Sequence, residues 1–99
     1  MKEEITLHAG KKTYTLCYTL RTIQRARRLG FRIENYNEMP VSTLSVLVHS
    51  AFWAHHPRIT ENQVFSNIYP HIPHKKEFIN SLMEMYKQKE ELCRKAGRL

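Results

Sequence analysis

VSTLSVLVHSAFWAHHPRITENQVFSNIY, residues 41–69, holds two helices and the corner between them. Leu44, Leu47, Val48, Ala51 and Phe52 recur at three- and four-residue spacing, which gathers them on one face of a helix. Pro57 closes that helix, because the residue before a proline is pushed out of helical geometry. Thr60-Glu61-Asn62-Gln63 then has the form of a capping box. The Thr60 hydroxyl can accept from the Gln63 N–H while the Gln63 side chain reaches back to the Thr60 N–H. Ile59 before the cap and Val64 after it occupy the positions of a hydrophobic staple.

Outward from this centre, Pro70-His71-Ile72-Pro73 makes a stiff connector to a last helix starting near His74. Phe78, Ile79, Leu82, Met83 and Tyr86 form its core stripe, with Met85 at the edge. Beyond Tyr86 the apolar pattern thins. The i,i+4 pairs Lys87/Glu91, Glu90/Arg94 and Glu91/Lys95 are expected to carry the helix into solvent until it frays at Gly97. On the N-terminal side, Glu34–Pro40 is a loop by its Asn content and closing proline. Before it, Thr19 caps a helix through Leu20, Ile23, Ala26 and Leu29 that stops at Gly30. Alternation of Ile5/Leu7 and Tyr14/Leu16/Tyr18 with polar neighbours gives a β-hairpin turning at His8–Lys11. A lone hairpin is marginal in water, so that apolar face must pack on the helices. The expected fold is α+β and mainly helical: one domain over 1–99, with a hairpin at 3–19 packed on about four helices. Those helices are placed at about 20–29, 42–55, 61–69 and 74–93.

Composition narrows the functional classes. Ninety-nine residues, 41% of them apolar, suit one modest core. Net charge is +7, distributed as +6 over residues 1–32, −2 over 33–72 and +3 over 73–99. The basic ends can attract an acidic protein, nucleic acid or an anionic surface. Cys17 and Cys93 alone suit a reducing compartment better than a disulfide scaffold, with a single bridge between them left open. Lys2-Glu3-Glu4 interrupts any signal peptide, and no apolar run is long enough to span a bilayer, so a cytoplasmic protein is expected.

Specific chemistry is sparse. His71 and His74 are three apart, but prolines at positions 70 and 73 break the helix such spacing would use, His55 and His56 diverge on a helix, and no HExxH or CxxC occurs, so no metal site and no cofactor are expected. The chain has no aspartate and only three scattered glycines. Nothing arranges Ser, His and Glu as nucleophile, base and orienter, and the protein is not expected to be an enzyme. Two surfaces remain as candidates. Trp53, Phe65, Tyr69, Met83 and Tyr86 form a possible apolar groove for a partner helix. Arg21, Arg25, Arg27, Arg28 and Arg32 offer a basic face for nucleic-acid phosphates. Self-association is left open.

The order of motifs, ITLHAGKKTYTLCYTLRTI, a helix ending at Gly30, LSVLVHSAFWAHHPRITENQV and a terminal amphipathic helix, resembles the tail assembly chaperones of long-tailed bacteriophages and prophages. The matching positions are Gly10, Lys12, Thr13, Tyr14, Leu16, Tyr18, Leu20, Ile23 and Gly30. Leu44, Leu47, Ala51, His55, Arg58, Thr60 and Val64 follow in the second block. The resemblance covers most of residues 2–86. It implies a non-enzymatic assembly factor, working in the host cytoplasm and absent from the finished virion. Such a factor binds the tape-measure protein until tail-tube protein replaces it. The alternative is a small basic nucleic-acid-binding phage regulator.

Overall fold

The computed structural model describes residues 3–34 and 41–99, with side chains from residue 44 onward in the second stretch. The fold is α+β, an N-terminal hairpin followed by four helical segments. The loop expected over Glu34–Pro40 lies outside the described residues beyond Glu34.

Strands β1 (Ile5–Ala9) and β2 (Lys12–Leu16) are antiparallel, pairing Ile5 with Leu16, Leu7 with Tyr14 and Ala9 with Lys12. His8 and Ala9 thus belong to the strand, and the turn tightens to Gly10-Lys11. Gly10 takes φ +65° at the first position of this two-residue loop, where an L side chain would be strained. The register puts Ile5, Leu7, Tyr14 and Leu16 on one face, as their alternation predicts, and that face packs on the core.

Helix α1 (Leu20–Arg28) starts at Thr19 with a reciprocal box, but the partner is Thr22 rather than Glu or Gln. Thr22 N–H donates to Thr19 Oγ1 at 3.2 Å and Thr19 N–H donates to Thr22 Oγ1 at 2.8 Å. Its end is a Schellman motif: Gly30 N–H donates to Arg27 O and Phe31 N–H to Ala26 O, with Gly30 at φ +90°. Unwinding at the cap turns Leu29, an expected core residue, outward to 61% exposure.

Helix α2 (Val41–Phe52) ends three residues earlier than expected. His56 N–H donates to Phe52 O as the chain turns toward Pro57. The third segment, α3, spans 61–71 and changes pitch along its length. The Thr60–Gln63 box forms as predicted, at 3.0 and 2.9 Å. After one α turn, however, Val64–Ile68 is π-helical and Tyr69–His71 a 3-10 turn. Pro70 supplies the reason, since its ring clashes with the carbonyl four residues back and it has no N–H to donate. Tyr69 N–H bonds Val64 O, five residues away, instead.

Helix α4 (Lys75–Lys95) begins after His74, which holds φ 52°, ψ 54° with no side-chain cap. Phe78, Ile79, Leu82, Met85 and Tyr86 are buried, and Met83 is half-buried; Met85 takes the core place expected for Met83. The segment beyond Tyr86 is no solvated extension. Glu90 and Cys93 are buried, and Gly97 closes a second Schellman motif through Gly97 N–H to Arg94 O and Arg98 N–H to Cys93 O. At the centre, Tyr86 meets Tyr18 and Phe31 edge to face, at 5.1 and 4.9 Å between centroids. Tyr18 continues the link by donating to Leu47 O at 2.6 Å, joining hairpin, α2 and α4.

Candidate functional site

The five-residue apolar groove expected from the sequence is not formed as a unit. Tyr86 is fully buried, so it is a core residue and presents nothing to a partner. Trp53 is 6% exposed, covered by the Arg25 guanidinium 4.0 Å from its ring centroid and by the edge of His49. Phe65 and Tyr69 do come together, half-buried with centroids 5.4 Å apart, and Lys75 Nζ lies 5.7 Å from the Tyr69 ring. Met83 is half-buried on α4. Helical spacing identified these as stripe residues but left open which stripe the core would claim.

The basic face is also divided. Arg21, Arg25 and Arg28 are exposed. Arg27 turns inward to Glu90, with Nη1 3.2 Å from Oε2, and that carboxylate side chain is only 7% exposed. Arg32 folds back to donate to Arg27 O at 3.1 Å and Phe31 O at 2.8 Å, occupying carbonyls at the end of α1. Three of the five arginines therefore have work within the fold.

Apart from the isolated Leu29, open apolar surface is found on the C-terminal half of α4. Leu92 is 60% exposed, and beside it a groove of about 210 Å³ is floored by Tyr18 and Met85. Glu3 from the approach to β1 and Gln88, Lys89 and Lys95 from α4 form its rim. Met85, Gln88, Lys89, Leu92 and Lys95 share one helical face by their i, i+3, i+4, i+7 and i+10 spacing. The signal was present in the sequence as Met85 and Leu92 seven apart, masked by the charged residues between them. Leu29, 61% exposed, is not part of this groove.

No activated nucleophile borders it. Cys17, next in sequence to the floor residue Tyr18, is a free thiol. Burial, then the Glu4 carboxylate, pushes it upward against the opposing pull of Lys89, which keeps it protonated and poorly nucleophilic. Among the described residues no three His, Cys, Asp or Glu side chains gather as a metal site, and no helix is long and apolar enough to cross a membrane. His49 meets Ile59 O at 3.0 Å, and His56 accepts from Thr15 N–H at 3.3 Å.

A family model, the domain of unknown function DUF5055, matches residues 1–94, from the hairpin to the last turn of α4. The chain belongs to the DUF5055 family. Comparison of this DUF5055 chain with curated proteins and with solved structures finds no match in either.

Proposed function

We propose that this DUF5055 chain is a tail assembly chaperone that covers an apolar helical stripe of a phage tape-measure protein until tail-tube protein displaces it. The observation that carries this reading is the α4 groove: a buried Tyr18/Met85 floor beside an exposed Leu92, rimmed by charges of both signs. An amphipathic helix seats its apolar anchors in such a groove while its flanking charges meet the rim. A groove this small gives weak, repeated contacts along an extended client, which a polymerising tube can displace. The resemblance of its motif order to that of tail assembly chaperones supports the same reading.

A second reading, a basic nucleic-acid-binding regulator, draws on the exposed Arg21, Arg25 and Arg28. It has less support, because Arg25 already covers Trp53 while Arg27 and Arg32 are engaged inside the fold.

The test is binding of a tape-measure fragment encoded by the same phage genome, measured by fluorescence anisotropy. Leu92→Lys is expected to weaken it at least about tenfold, as for a central apolar anchor, and Leu29→Lys to leave it unchanged. No affinity for the fragment, together with duplex DNA binding that falls steeply with salt, would overturn the chaperone reading.

A further inference from the structure

A second cleft, sharing no residue with the α4 groove, lies where the hairpin turn meets the corner between α2 and α3. Its volume is about 460 Å³, within the range of small-ligand sites. Lys12 from β2 and Arg58 from the corner bring two positive charges to it from segments 46 positions apart in sequence. Neither makes an ion pair among the described residues, whose salt bridges involve Arg27, Arg94 and Lys95. No carboxylate lines the cleft.

The remaining polar groups include further donors. Gln63 Oε1 is used by the Thr60 N–H in the capping box, which leaves the Gln63 amide N–H groups as the free end of that side chain. Asn67, one turn further along α3, adds a second amide. His56 is held as a neutral ring, since its Nε2 accepts from the Thr15 backbone N–H. Tyr14, Ile59 and Ile68 add apolar surface to its lining.

We propose that this cleft binds a small organic phosphate, with the phosphoryl group between Lys12 and Arg58 and its apolar body against Tyr14 and Ile59. Two uncompensated cations match the charge of about −1.5 to −2 that a phosphate monoester carries near neutral pH, where a carboxylate supplies only one. Arg58 can take two phosphoryl oxygens through its planar fork while Lys12 acts as a point charge. The amides of Gln63 and Asn67 reach further acceptor atoms. Desolvation stays modest because both cations are exposed, so affinity depends on charge and donor count together.

The full-length chain would be titrated with phenyl phosphate, with inorganic phosphate and benzoate in parallel, and followed by ¹H–¹⁵N NMR. Saturable shifts centred on Thr15, Gln63 and Asn67 are expected, with phenyl phosphate binding at least about tenfold more tightly than benzoate. Lys12→Ser with Arg58→Ser should reduce that affinity at least about tenfold, as for loss of two charged contacts. Both side chains are exposed, and an unchanged melting temperature would show that the variant folds. Arg21→Ser with Arg28→Ser, which lowers net charge equally at residues that do not line the cleft, should leave the affinity within about twofold. Absence of saturable shifts, equal binding of benzoate, or an equal loss in the Arg21/Arg28 variant would each overturn the proposal. Loss of tape-measure binding in the Leu92 variant leaves this outcome unaffected, because the two sites share no residue.

Discussion

Tyr18 and Tyr86 stand edge to face in the core, yet their hydroxyls are placed oppositely. Tyr18 Oη donates to Leu47 O at 2.6 Å, whereas Tyr86 Oη is buried with no hydrogen-bond partner among the described residues. Burial raises both phenols, with Tyr86 beside Tyr18 and Glu90 beside Tyr86 adding to it, so neither ionises near neutral pH. Tyr86→Phe is expected to be neutral or stabilising by up to about 1 kcal/mol, because it removes an unpaired buried hydroxyl. Tyr18→Phe should cost about 0.5–1.5 kcal/mol, moderated because Ser50 Oγ also donates to Leu47 O. Urea denaturation of the two variants separates these signs. His56 gives a pH dependence. Burial first, and neighbouring His55 second, hold its ring below the ordinary 6.5, and its Nε2 must stay unprotonated to accept from Thr15. As pH falls, the unfolded chain takes up the proton before the folded one does. The stability due to His56 is therefore complete above about pH 6.5 and is lost as pH falls through 6.5 toward the lower folded value. Denaturation midpoints at about pH 7.5 and about pH 5.5 should show that loss, and His56→Asn should lessen it.

Among the elements, α4 carries more of the fold than its sequence pattern suggests. Its last three turns place Cys93 in contact with the interior and bring Glu90 to Arg27 of α1 and Arg94 of its own helix. Deleting residues 87–99 removes that cross-helix pair and strips cover from α1. A loss of about 3 kcal/mol or more is expected, or failure of cooperative unfolding, read by circular dichroism. Deleting Leu99 alone, beyond the Schellman closure, should stay within about 0.5 kcal/mol. The Thr60–Gln63 box was legible because a cap is a local property of four residues. The pitch change after it was less so: Pro70 was visible, but the accommodation of its ring by a π turn depends on Val64 and Ile68 being the side chains that reach the core.

Across the whole molecule, a radius of gyration of 12.9 Å is that of a single domain of about 100 residues. The net charge of +7 suggests a polyanion partner more strongly than the arrangement of that charge does. Arg27 of α1 and Arg32 just beyond its end are turned into the fold, and Arg25 of α1 lies over Trp53. If the α1 face is the DNA contact, at most about three phosphates can be neutralised there. The slope of log affinity against log salt for random duplex DNA should then be no steeper than about −3. Filter binding across a salt series measures it, and a slope of about −4.5, as for all five arginines on phosphates, would restore the arginine face as a main functional surface.

Local chemistry determined the hairpin, the caps at Thr19 and Thr60, the glycine stop at Gly30 and the approximate helix limits. Alternation, capping and positive φ act over a few neighbouring residues. Tertiary packing decided the rest: Tyr86 and Trp53 inside, Leu92 outside, Arg27 drawn to Glu90, and Lys12 brought to the same cleft as Arg58. A helical stripe has two edges, and which edge is covered depends on the angle at which another helix crosses it. That angle is set by side chains distant in sequence, so no local pattern contains it.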